Sequence, residues 1–120
     1  MIYLEKDNFM PKKQLTQAAS EWGMTGDAAA IDAKLDALEE EALARIKAKV
    51  NFTAIETETA LLRALCASYV SYKLFEGTIY DEYATDKMRE FYACLGDIRE
   101  SQQESKISAE ETVGTPSRFL

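Results

Sequence analysis

The sequence predicts an all-α fold, a small helical bundle of about three to four helices with a central apolar helix and an extended C-terminal tail. Three observations predict it. Ala, Leu, Glu and Lys, which are good helix formers, dominate the middle of the chain. Only two prolines and five glycines occur in 120 residues. Apolar residues recur at three- and four-residue steps. We expect one helical domain over residues 1–104 and an extended tail over 105–120.

The first segment, residues 1–22, is predicted to begin as an extended stretch and to continue as a short helix. The extended stretch is IYL at 2–4, and the helix covers PKKQLTQAASEW at 11–22. Proline is tolerated in a first helical turn. Gly23 is predicted to be the C′ glycine of the helix C-cap, and Met24 could make the apolar contact that accompanies such a cap.

A long amphipathic helix is predicted from the TGD motif at 25–27 to about Val50, with Asp27 or Thr25 as the N-cap. Its apolar stripe comprises Ile31, Leu35, Leu38, Ala42, Ile46 and Val50. The face assigned to solvent carries Asp32, Asp36, Glu39, Glu40 and Lys47. Glu41 and Arg45 form an i,i+4 pair worth about 0.2–0.5 kcal/mol.

The next helix is apolar on nearly every side. The stretch 53–56, TAIE, reads as a capping box that opens it. Its apolar residues include Leu61, Leu62, Leu65, Cys66, Tyr69, Val70, Leu74 and Phe75. A helix of this kind is buried all round. Since one short chain has few helices to surround it, the pattern indicates neighbouring chains.

Gly77 ends the central helix, and a last helix is predicted from about Asp81 to Glu104. Gly96 lies inside it, on the same side as Tyr92 and Arg99. Such a glycine costs about 1 kcal/mol relative to alanine. It is either simply tolerated or marks the close approach of a neighbouring helix or subunit.

The sequence offers little for catalysis, metal binding or a cofactor. It contains no histidine, which removes the usual general base and the Glu-x-x-His motif of helical di-iron bundles. The carboxylates at 39–41 and 81–82 fit a solvated helix face or first turn. Cys66 and Cys94 sit among apolar residues at positions too far apart for a bridge, so we expect two inert thiols. We therefore predict no enzyme, no cofactor and no metal.

Seven aromatic residues gather where the last two helices join: Tyr69, Tyr72, Phe75, Tyr80, Tyr83, Phe91 and Tyr92. One interpretation of this cluster is an aromatic cage that binds a ligand. Core packing, with hydroxyl groups directed to the rim, is the commoner arrangement, and we favour it.

Charge and hydropathy limit the partners and the location. The net charge of −7 argues against binding to the phosphate backbone of a nucleic acid. The protein could still lie beside a duplex without binding it. No apolar run approaches the roughly 18 residues that span a bilayer, so no membrane is expected. The charged N-terminal stretch at 1–9 is unlike a signal peptide and predicts a cytosolic, unprocessed chain.

The final residues give the strongest signal for a binding partner. Thr112, Val113 and Thr115 favour extended structure, and Phe119 and Leu120 offer apolar anchors. Extended segments dock on other chains through backbone hydrogen bonds and side-chain pockets, and we favour this role for the final residues. The alternative is that they form a flexible terminus. The predicted partner-binding residues are Thr112, Val113, Gly114, Thr115, Pro116, Ser117, Arg118, Phe119 and Leu120.

The order of these elements resembles that of the small helical head–tail connector proteins of tailed bacteriophages, also called head-completion or adaptor proteins. The resemblance is carried by IYLEKDNF at 2–9, AAIDAKLDALEEEALARI at 29–46, ALLRALCASYVSYKLFEG at 60–77, DKMREFYACLGDIRE at 86–100 and the SRFL ending. It covers most of the chain and is loosest over 8–27.

The resemblance implies a structural virion protein, made in the bacterial cytoplasm and located at the capsid vertex. Proteins of this family form a ring, usually of twelve copies, between the portal protein and the tail or stopper protein. Neighbouring copies would surround the central helix, and the extended tail would clasp the portal or an adjacent copy. DNA would pass through an acidic channel without specific binding, because like charge repels phosphate. A soluble helical protein-binding module or accessory subunit is the alternative.

Overall fold

Four α-helices make up most of the described chain. A computed structural model describes residues 2–5, 12–24 and 26–114. The helices are α1 (Lys12–Glu21), α2 (Ala28–Lys49), α3 (Thr59–Phe75) and α4 (Asp81–Gly114), and a 3-10 turn lies at Phe52–Ala54. No strand occurs in these ranges. The prediction of a small all-α bundle is confirmed.

The ends of α1 and α2 follow the local signals in the sequence. Gly23, two residues past the end of α1, adopts a left-handed φ of 70°. The Met24 amide then donates to the Ala19 carbonyl at 2.8 Å, which satisfies one of the last free carbonyls of the helix. Asp27 is the N-cap of α2, since its carboxylate accepts from the Ala30 amide at 3.0 Å.

The predicted capping box at 53–56 is wrong. Thr53 lies in the 3-10 turn, and α3 begins only at Thr59, after Glu58, whose side chain makes no capping hydrogen bond. Ile55 turns inward and is 5% exposed. Burying an isoleucine side chain stabilises a fold by about 1.5–3 kcal/mol, whereas a cap contributes about 1 kcal/mol. The core contact therefore determines the path of this linker.

The central helix α3 is buried largely by its own chain. It packs against both α2 and α4. Its fully buried side chains are Leu62, Leu65, Cys66, Tyr69, Val70, Ser71, Leu74 and Phe75. The inference that one chain cannot surround this helix is therefore corrected, because the exposed residues of α3 are confined to Thr59, Ala60, Arg63 and Ala64.

Aromatic rings hold α3 and α4 together as an antiparallel hairpin. Gly77 makes the turn with a φ of 76°. Phe75 meets Tyr83 with ring centroids 5.5 Å apart, and Tyr69 meets Phe91 at 5.0 Å. Both phenylalanines are completely buried. The interpretation of the cluster as core packing is confirmed for these residues.

Helix α4 is longer than predicted. It continues to Gly114 and so includes residues 105–114, for which we predicted extended structure. That part of the prediction is wrong, and the boundary at Glu104 falls inside a continuous helix. Propagating an existing helix adds a hydrogen bond with every residue, which outweighs the weak β preference of Thr112 and Val113.

Candidate partner-binding surfaces

The predicted partner-binding residues fall on both sides of the end of α4. The backbone of residues 112–114 forms the last turn of the helix, so these residues are not extended. Residues 115–120 lie outside the described residues. The helix ends two residues before Pro116, in keeping with the bias of a residue before proline away from helical geometry.

A buried carboxylate on α2 binds the N-terminal segment. Glu39 is 2% exposed, although we predicted it on the solvent face. Its carboxylate accepts hydrogen bonds from the backbone amides of Ile2, Tyr3 at 3.2 Å and Leu4 at 2.9 Å. The expectation of a solvated Glu39 is therefore wrong. Three successive N–H groups replace the water that the charge loses on burial.

Arg63 of α3 completes the binding of the same segment. Its Nε atom donates to the Tyr3 carbonyl at 3.1 Å. Leu4 is buried in the core and Tyr3 packs against it. The segment 2–4 is thus held by an acceptor from α2, a donor from α3 and one apolar side chain.

A signal for Glu39 is present in the sequence. Glu39 follows Leu35 by four residues and precedes Ala42 and Ile46 by three and seven residues, so it lies within the apolar stripe. The charge of its side chain alone suggested that Glu39 is exposed to solvent. The helical spacing, which is the stronger indicator here, places it on the core side.

Glu41 bonds to α3 rather than lying free in solvent. The Tyr69 hydroxyl donates to the Glu41 carboxylate, and Arg45 lies beside the same hydroxyl. Burial and this hydrogen bond raise the pKa of Tyr69. Glu40, between the two bound glutamates, is exposed as predicted.

A reciprocal pair of hydrogen bonds joins the end of α2 to α4. The Asn51 amide donates to Gln102 Oε1 at 2.9 Å, and Gln102 Nε2 donates to the Asn51 carbonyl at 3.0 Å. The pair lies in an open groove lined by Ala48, Lys49, Val50, Asn51, Arg99, Gln102 and Gln103. Nothing in the sequence pattern pointed to this pair, because glutamine gives no periodic signal.

Few large apolar side chains remain exposed among the described residues. They are Ile2 at 79%, Ile79 at 73% and Tyr92 at 45%. Gly96, one turn beyond Tyr92 on α4, is also exposed, and a Cβ added there would meet no atom within 4 Å outside the adjoining backbone of α4. The fold of a single chain gives no reason for a glycine at this position.

The two thiols are free, as the sequence predicts. Cys66 is buried, and burial, followed by the nearby negative charge of Glu39, raises its pKa to about 12. The pKa of the half-buried Cys94 is also raised, chiefly by burial. Both thiols are protonated near neutral pH and are therefore weak nucleophiles.

The described ranges contain neither a metal-binding cluster nor a membrane-spanning helix. There, no three His, Cys, Asp or Glu side chains lie close enough together to hold a metal ion. No described helix is long and apolar enough to cross a membrane.

No family model, curated protein sequence or solved structure matches this chain.

Proposed function

We propose that this chain is a structural head–tail connector of a tailed bacteriophage, which assembles as a ring between the portal protein and the tail. The order of the elements supports the proposal: a docked N-terminal segment, a long α2, an apolar α3 and a long α4 correspond to the stretches that carry the resemblance. The observation that carries it furthest is the length of α4.

Helix α4 continues past its contact with α2 as a helical arm, defined here as residues 105–114. α4 has 34 residues, twice the 17 of its hairpin partner α3. It continues twelve residues past Gln102, which bonds to the end of α2, and this is about 18 Å of helix. Helices gain most of their stability from packing an apolar face. The extra length of α4 relative to α3 therefore favours a role in which the arm packs on another protein.

The self-contained core sets the expected order of assembly. Because α3 is covered within one chain, a single copy needs no neighbour to fold. The proposal is therefore that the chain is monomeric alone and forms a ring when it meets the portal. The arm and residues 115–120 would make the first contact.

The net charge suits a channel through which DNA passes. The chain carries 21 acidic and 14 basic residues, so a ring of copies would be strongly acidic. Such a wall repels phosphate and lets a duplex pass without binding it. The ring would lie at the capsid vertex of the virion.

The test is reconstitution with the portal protein from the same genome. The full chain, a variant lacking 105–120 and a control with 105–120 in scrambled order are each mixed with portal and viewed by electron microscopy. We expect a ring beneath the portal with the full chain only. The truncated chain should keep its thermal unfolding midpoint. Unfolding on truncation would show that the arm belongs to the core, and failure of the full chain to bind portal would overturn the proposal.

The alternative is a soluble helical protein-binding module or accessory subunit. The shielded core favours it, since a module of this kind functions as a single copy or a small complex. It predicts a monomer or dimer in every mixture, with or without portal. The same reconstitution, analysed by light scattering, separates the two functions.

A further inference from the structure

An exposed stripe on α4 differs in chemistry from the rest of the protein. Residues at steps of three and four along the helix are all exposed: Arg89, Tyr92, Gly96, Arg99 and Gln103. This set, the α4 stripe, contains no carboxylate, in a chain of net charge −7. A neighbouring side of the same helix carries Asp86, Glu90, Asp97, Glu100 and Glu104.

Three features of the α4 stripe are typical of a contact surface. Tyr92 is one of the few large apolar side chains exposed among the described residues. Arg99 has no ion-pair partner in the described part of the chain, and it lines the groove beside Lys49. Gly96 leaves open space above the helix. Tyrosine and arginine are enriched in protein interfaces, and a glycine lets another backbone approach closely.

A complementary surface lies on α2. Ala33, Ala37, Glu40, Ala44 and Ala48 also follow one another at three- and four-residue steps, and all are exposed. This α2 stripe has small side chains around one exposed carboxylate, so an aromatic ring can lie between the alanines and an arginine can reach Glu40. The two stripes differ in both shape and charge. They belong to different helices and adjoin at the groove, which Ala48 lines together with Arg99 and Gln103.

We infer that the α4 stripe of one copy packs on the α2 stripe of the next copy, with Arg99 directed to Glu40 and Tyr92 seated among the alanines. The contact is head-to-tail when each copy uses its α4 stripe on one neighbour and its α2 stripe on another, and it then closes into a ring when the rotation permits. The inference rests on the proposed function, because it names the surface through which the copies of the proposed ring meet.

The test is a charge exchange in the reconstituted portal complex. Arg99→Glu places two carboxylates in contact, and Glu40→Arg places two cations together. We expect each variant to need at least about tenfold more protein for ring assembly. The double variant should return assembly to within about threefold of the unaltered chain. Glu56→Arg and Lys13→Glu make the matching charge changes at exposed positions that lie on neither α2 nor α4, and they serve as controls.

A steric variant provides an independent readout. Gly96→Leu adds a side chain where the single chain has open space, so thermal unfolding should be unchanged or raised while ring assembly falls. Rings that assemble normally with Arg99→Glu, Glu40→Arg and Gly96→Leu would overturn the inference and leave the proposed function intact. Equal losses from the two stripe variants and their controls would overturn it as well. If the unaltered chain forms no ring on portal, the same variants are tested by sedimentation of the chain alone at high concentration. Self-association that Arg99→Glu and Glu40→Arg each weaken, and that the double variant restores, supports the inference without the ring. The absence of any self-association overturns the inference.

Discussion

Glu39 shows how one side chain fixes the start of the chain. Its carboxylate is buried and accepts from the amides of Ile2 and Leu4, and from the Tyr3 amide between them. No regular secondary structure holds this segment, so its backbone donors depend on this acceptor. Loss of the carboxylate leaves several polar groups without a partner at the edge of the core.

We expect Glu39→Ala to lower the free energy of unfolding by about 2–4 kcal/mol, since charged hydrogen bonds contribute about 1.5–3 kcal/mol each and do not add fully. Glu40→Ala is the matched control, because it makes the same change at the adjacent, exposed position. It should shift stability by no more than about 0.5 kcal/mol. Urea unfolding of both variants measures the difference. Equal effects would show that the binding of segment 2–4 contributes nothing to stability.

The buried thiol predicts the response to alkaline pH. The pKa of Cys66 in the folded chain is about 12, against 9.0 ordinarily. From pH 9 upward the unfolded chain therefore loses this proton before the folded chain does, and the stability falls until the pH passes 12. The raised pKa of Tyr69 acts in the same direction.

The fall in stability between pH 9 and pH 12 should be smaller in Cys66→Ala than in the unaltered chain. Cys94→Ala is the control, because Cys94 is only half-buried and its pKa is raised for the same main reason to a lesser degree. Guanidinium unfolding at a series of pH values gives the slope. A slope that does not change with Cys66→Ala would assign the alkaline sensitivity to other groups.

At the scale of the elements, local signals predicted some helix ends and failed at others. Gly23, Asp27 and Gly77 mark ends that the structure confirms, because backbone geometry at those positions is decided locally. The start of α3 could not be predicted from TAIE, since the burial of Ile55 against distant residues determines it. The extent of α4 beyond Glu104 has no apolar period to reveal it.

The link between α2 and α4 gives a prediction at this scale. Gln102→Ala removes both hydrogen bonds to Asn51, and we expect a loss of about 1 kcal/mol, because the pair is exposed to water. Hydrogen exchange at the Asn51 amide should become faster. Gln103→Ala, at the next exposed position, should alter neither quantity. Unchanged exchange at Asn51 in Gln102→Ala would show that the pair does not persist in solution.

At the scale of the whole molecule, the fold class could be predicted from the sequence, whereas the coverage of α3 by its own chain could not. Helical periodicity is set by the backbone and is visible in the sequence, so α2, α3 and α4 were all expected. How completely α2 and α4 cover α3 depends on three-dimensional packing, which periodicity does not describe. The assignment of residues 112–120 to partner binding remains a prediction.

The covered core predicts a monomer in dilute solution. Light scattering at micromolar concentration should give about the 13.5 kDa of one chain. We expect this mass because isolated exposed side chains such as Ile79 do not form the large apolar patch of an obligate interface. A stable oligomer that persists on dilution without any partner would contradict it.

The continuity of α4 has a mechanical consequence. One helix runs from Asp81 to Gly114, and it is fixed to α3 by the contact of Phe91 with Tyr69 and to the end of α2 by Gln102. A load applied at Gly114 therefore acts first on the hydrogen bonds between Gln102 and Asn51. If those bonds open, the stiff helix transmits the load to the contact between Tyr69 and Phe91, deeper in the bundle.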